Sequence, residues 1–242
     1  MAASFAWGFL AAATLIAGGA VALNWEIGER TLGLVMAFGS GVLISAVAFE
    51  LVNEAWDRAG GRGSVALGLF AGSATFWAGD LLIDRGGGAH RKHSSGRQAD
   101  GSPLAIVLGI VLDGIPESIV LGLTIVVEGS VSAAFLVAVA LSNVPEAFAA
   151  STGLVRAGWT RGRVLALWLG VSVVSGLAAL VGFAVFDSVS DGTIAFVLAF
   201  AGGAILTMLA DTMMPEAFEH GGRLVGVVTT VGFALAFAIS SL

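Results

Sequence analysis

Eight apolar runs divide the chain, and each is about 20 residues long or a little more, the length a helix needs to cross a bilayer. Their approximate limits are 4–23, 31–56, 64–83, 103–127, 131–155, 162–186, 192–217 and 222–241. The sequence is 57% hydrophobic and only 12% charged, with a mean hydropathy of +0.96. A soluble domain carries about twice that charged fraction. The expected fold class is therefore an all-α polytopic membrane protein, a single transmembrane domain over residues 1–242. Its 35 glycines suit close approach of helices in lipid. Cysteine is absent, which excludes disulfides and thiolate metal sites. The first basic residue, Arg30, follows the first apolar run, so that run is expected to stay in place as a helix.

Basic residues set the expected orientation. With the N-terminus outside, the inside connections hold Arg30, then Arg85, Arg91, Lys92 and Arg97, then Arg156, Arg161 and Arg163, then Arg223. The outside connections hold only Arg58 and Arg62. A multi-pass protein of the cell membrane with both termini extracytoplasmic follows. The basic residues sit in connections between spans, so the charge pattern gives no reason to expect nucleic acid as a partner. The longest connection, 84–102 between spans three and four, is expected to be a cytoplasmic, poorly ordered loop. Its His90 and His93 are weak candidates for metal binding.

Two short stretches read almost alike inside this apolar background. They are Leu112-Asp113-Gly114-Ile115-Pro116-Glu117-Ser118 and Leu141-Ser142-Asn143-Val144-Pro145-Glu146-Ala147. Asp113 and Glu117 are four apart and share a helix face, as do Ser142 and Glu146. No Lys or Arg occurs between Arg97 and Arg156 to neutralise them. Unpaired carboxylates in hydrocarbon are costly and mark ion paths. Pro116, Pro145 and Pro215 each directly precede a Glu. A proline inside a helix frees the carbonyl four residues earlier, here those of Leu112, Leu141 and Asp211. Kinks at these prolines would open the helices beside the carboxylates. Asp113, Glu117, Ser142, Asn143 and Glu146 thus form a candidate all-oxygen metal site, a donor set that suits hard divalent ions and still accepts Zn or Fe.

Other acidic residues extend the pattern into a candidate pathway. Glu50 and Glu54 share a face of span two; Asp211 and Glu216 lie on span seven. Spans two and seven also align without a gap. Ala37-Phe38-Gly39-Ser40-Gly41 answers Ala199-Phe200-Ala201-Gly202-Gly203, and Glu54-Ala55-Trp56 answers Glu216-Ala217-Phe218. In the expected topology the two spans run in opposite directions, as in inverted-repeat transporters with a midplane site.

With these residues in view, the chain resembles the zinc/iron-regulated-transporter-like (ZIP) family of divalent-metal transporters. The family's fourth span carries a His-Asn-x-Pro-Glu pattern, and here that register holds Asp113-Gly114-Ile115-Pro116-Glu117. Its fifth span carries a polar pair and then x-Pro-Glu, here Ser142-Asn143-Val144-Pro145-Glu146; Pro215-Glu216 matches on span seven. The resemblance implies eight spans, with inverted three-helix repeats flanking the central pair. It implies a transport site between spans four and five, frequent homodimers and sliding of the site-bearing bundle as a rigid body. The chain departs from the pattern at Asp113 and Gly114. Where many members place a carboxylate on span six, the polar residues here are Ser172 and Ser175. One metal, or a second bound only weakly, is then expected. The expected function is transport of divalent transition-metal cations by alternating access, into the cytoplasm as the resemblance implies. Zinc leads as substrate, with manganese or iron next, and no prosthetic group is expected. The rival reading is a membrane-embedded metal-binding or metal-dependent hydrolytic protein without transport. It is disfavoured because the three His (His90, His93 and His220) lie in loops or at a span end and no His-Glu-x-x-His motif is present.

Overall fold

The structure is a computed structural model, and it describes residues 1–25, 28–60, 63–85 and 103–240, with the side chains of 103–106 left aside. Every regular element among the described residues is helical. Helix α1 is Ala2–Asn24, α2 is Glu29–Ala59 and α3 is Ser64–Ile83. Then follow α4, Pro103–Glu128, α5, Ala133–Arg156, and α6, Arg161–Phe186. The last two are α7, residues 191–221, and α8, Val225–Ser240. Polar side chains start three of them: the Ser132, Thr160 and Ser190 hydroxyls accept from the backbone N–H of Phe135, Arg163 and Thr193 at the heads of α5, α6 and α7. The expected loop 84–102, with His90 and His93, falls almost wholly outside the described residues.

Among the described residues seven helical stretches are long and apolar enough to cross a membrane, where eight separate spans were expected. The difference lies at the C-terminal end. The expected spans 192–217 and 222–241 are joined through a single 3₁₀ turn, Gly222–Leu224, and make one stretch of 50 residues, Asp191–Ser240. That stretch is not straight. Gly222 has φ 65° and ψ −145°, a backbone state that glycine adopts without steric cost. The neighbours on α2 show the reversal. Going along α2, Gly33 lies against His220 and Gly221, Gly39 near Met213, and Val47 and Val52 near Gly202, so α7 is antiparallel to α2. Gly41 lies against Thr229 and Phe233, and Phe49 stacks near Phe237 at 4.9 Å, so α8 runs parallel to α2.

Both aligned helices, α2 and α7, are interrupted by π-helical turns, over Val47–Asn53 and Leu209–Met213. Pro215 follows the second, as expected for a helix that cannot bond the Asp211 carbonyl normally. Asn53 holds the matching place in α2, so proline is not what creates the irregularity. Pro116 and Pro145 lie inside helices that continue through them.

The helices pack as two groups. In one, α1 lies along α5 and α6, and α4 crosses α6; in the other, α7 packs on α3, and α2 on α7 and α8. Glycine permits the tightest crossings. A Cβ on Gly122 would overlap the Ala179 carbonyl, and one on Gly18 would strike the Val144 carbonyl. Much of the seam between the groups is apolar: Leu43, Val47 and Leu51 of α2 share one buried cluster with Val120 and Leu123 of α4 and Phe135 and Ala138 of α5.

Candidate metal site

A small cavity lies inside the first helix group. Ala11, Ala12 and Leu15 of α1, Ile110, Gly114, Glu117 and Ser118 of α4, Val139, Asn143 and Glu146 of α5, and Val171 and Ser175 of α6 line it. The space open to a water-sized centre is about 10 Å³, roughly the room that one water requires. The Pro-Glu segments of α4 and α5 therefore meet: Glu117, Asn143 and Glu146 all line this cavity. Glu117 is 3% exposed and Asn143 4%. Among the described residues no Lys, Arg or His lines the cavity.

Packing rather than loops positions these groups. Asn143 donates from Nδ2 to the Ala11 carbonyl at 3.1 Å, which fixes the amide against α1. The close passage of Gly18 past Val144 holds α1 and α5 together beside it. Ser118 donates to the Gly114 carbonyl at 2.7 Å. At Gly114 itself an added Cβ would meet nothing within 4 Å, so the wall is open there. Trp168 of α6 is wholly buried and donates to Ser151 Oγ at 2.9 Å, fixing α6 against α5 behind the site.

The other expected ligands are placed differently. Asp113 is half-buried on α4 and does not line the cavity, although it lies within coulombic reach of both Glu117 and Glu146. Ser142 is buried, but its hydroxyl donates to the Val139 carbonyl at 3.0 Å, and its backbone faces Gly39 of α2. Glu216 is 5% exposed and also lies within coulombic reach of Glu146. Asp211 is exposed. Glu50 and Glu54 are away from the cavity, at the end of α2. Glu54 Oε1 pairs with Arg58 Nε at 2.6 Å, and Glu50 accepts from Ser132 and Ser240.

Ser118, Ser175 and the α1 wall were absent from the expected ligand set. Ser118 is signalled by its place after Glu117, and Ser175 by its place among the polar residues of span six. Nothing polar in α1 signals its part, because it contributes through a backbone carbonyl.

Chemically, the wall offers two carboxylates, one amide oxygen and hydroxyls. Such a set suits one hard or borderline cation, or protons shared between carboxylates. Among the described residues no group of three or more His, Cys, Asp or Glu is gathered closely enough to hold a metal ion. In this arrangement a cation would rest on two acidic side chains and neutral oxygens. No family model matches the chain, and no curated protein matches it either.

Proposed function

We propose that this protein carries divalent transition-metal cations across a membrane through the cavity between α4 and α5. The observation that carries the reading is the meeting of Glu117, Asn143 and Glu146, from twin Pro-Glu segments, in one cavity with no cationic side chain among the described residues. Buried carboxylates are retained in apolar helices where an ion is handled. The ZIP-like motifs supply the substrate class, with zinc first and manganese or iron next, and the inward direction. In this reading the 50-residue stretch reversing at Gly222 provides two passes, which gives eight in all with both termini extracytoplasmic. The π-helical turns at matching places in antiparallel α2 and α7 support an inverted repeat around α4 and α5. The group formed by α1, α4, α5 and α6 holds the whole cavity wall, and sliding of that group along the apolar seam would move the site between the two membrane faces.

A second reading, static metal binding without transport, draws support from the small size of the cavity. Flux separates the two. Proteoliposomes holding the protein should take up Zn or Mn saturably beyond empty vesicles. Equilibrium binding of metal with no flux in either direction would favour the static reading.

A further inference from the structure

The two helix groups are joined by polar contacts at one end of the bundle, and α2 supplies both. Glu50 accepts from the Ser132 hydroxyl at 2.7 Å, and Ser132 is the N-cap of α5. The other Glu50 carboxylate oxygen accepts from Ser240, the last residue of α8. Two turns further along, Arg58 donates to the Val127 carbonyl of α4 at 3.5 Å. The same guanidinium holds Glu54 at 2.6 Å and Asp191, the first residue of α7, at 2.7 Å. So Glu50 and Arg58 each hold members of their own group and reach across to the turn between α4 and α5.

Another part of the seam is apolar. Leu43, Val47, Leu51, Val120, Leu123, Phe135 and Ala138 make contacts without direction. Apolar surfaces bury as well in one register as in the next, whereas a hydrogen bond to a carboxylate is met in one register only. The polar contacts at this end therefore favour one register of the cavity-bearing group against α2. The π-helical turns Val47–Asn53 aim Glu50 at Ser132, and such irregular turns occur at functional positions.

We propose that Glu50, with Arg58 beside it, is a releasable latch that holds the cavity-bearing helices in one register against α2, α7 and α8. Its mechanical role stands by itself; its use in a transport cycle rests on the function proposed above. The carboxylate is suited to release, because water at the end of the bundle can replace both serine hydroxyls. Ser132 remains the cap of α5 after release, accepting from Phe135.

The test reads a distance and needs no metal. The chain has no native cysteine, so Asp57→Cys and Ser130→Cys, at two exposed positions on either side of the latch, can carry spin labels in lipid vesicles. Dipolar spectroscopy should give one short-distance population in the otherwise unaltered protein. Glu50→Ala should add a longer population, and Ser132→Ala should do so too, which decides the matter if the Glu50 variant fails to fold. Ser240→Ala, which breaks a bond within one group, should leave the short population unchanged. An unaltered distribution in folded Glu50→Ala or Ser132→Ala protein overturns the latch. An equal effect of Ser240→Ala overturns it as well, because Glu50 would then merely anchor α8. Uptake measured on the same vesicles is a separate readout. Absence of uptake with a changed distance would remove the transport reading and leave the latch standing.

Discussion

Asn143 of α5 donates its amide N–H to the main-chain carbonyl of Ala11 on α1, and both residues line the same cavity. One side chain thus ties two helices together at the cavity and brings an amide oxygen to the residues that line it. Replacing it separates these roles. Asn143→Ala should cost about 1 kcal/mol of stability for the lost buried hydrogen bond, seen as a lower melting temperature in detergent. It should also weaken metal binding measured by calorimetry. Asn143→Asp offers an oxygen but no donor when ionised, so it should lose the α1 tie while keeping more affinity than the Ala variant.

Two glycines inside helices should respond oppositely to a methyl group. A Cβ on Gly18 would lie 2.5 Å from the Val144 carbonyl, whereas one on Gly114 has nothing within 4 Å. Gly18→Ala must push α1 from α5 and should cost about 1–3 kcal/mol, lowering the yield of monodisperse protein. Gly114→Ala should fold as the parent does. Equal thermal stability of the two variants would count against the close α1–α5 passage.

Asp113 tests selectivity. It stands beside the cavity, within coulombic reach of Glu117 and Glu146, where the ZIP resemblance leads to an expected His. Asp113→His should raise the preference for Zn over Mn, since imidazole favours Zn more than a carboxylate does. A differential gain of about 1.4 kcal/mol moves the ratio about tenfold, which competition uptake resolves. An unchanged ratio with transport intact would leave Glu117, Asn143 and Glu146 as the side chains that matter.

The helical membrane character of the chain was legible in its apolar runs, whose length allows little else. Span three was expected at 64–83 and α3 is Ser64–Ile83. The C-terminal boundary was harder to read. Only Phe218, Glu219, His220 and Gly221 separate the last two runs, and a reversal made at one glycine, Gly222, with positive φ needs no longer polar connection. Within the candidate site, Glu117 and Glu146 stood out because charge is conspicuous in hydrocarbon. Ser142 had the right spacing as well, but a hydroxyl can satisfy itself on the preceding turn, as this one does on Val139. The contribution of α1 comes from a main-chain carbonyl beside small side chains, and residue identities do not reveal it. The pairing of Glu50 with Ser132 joins residues far apart in sequence and depends on a π-helical turn that has no proline to announce it.

The central claim is that Glu117 and Glu146 together hold the transported cation, and metal uptake by the single variants tests it most directly. Purified Glu117→Ala and Glu146→Ala proteins, each shown to be folded by size-exclusion profile and helical circular dichroism, would be reconstituted beside the parent and assayed for Zn and Mn uptake. The account predicts that the parent takes up metal saturably and that each variant falls to the level of empty vesicles. Parent-like uptake by both variants would contradict it and place the ion path elsewhere in the bundle.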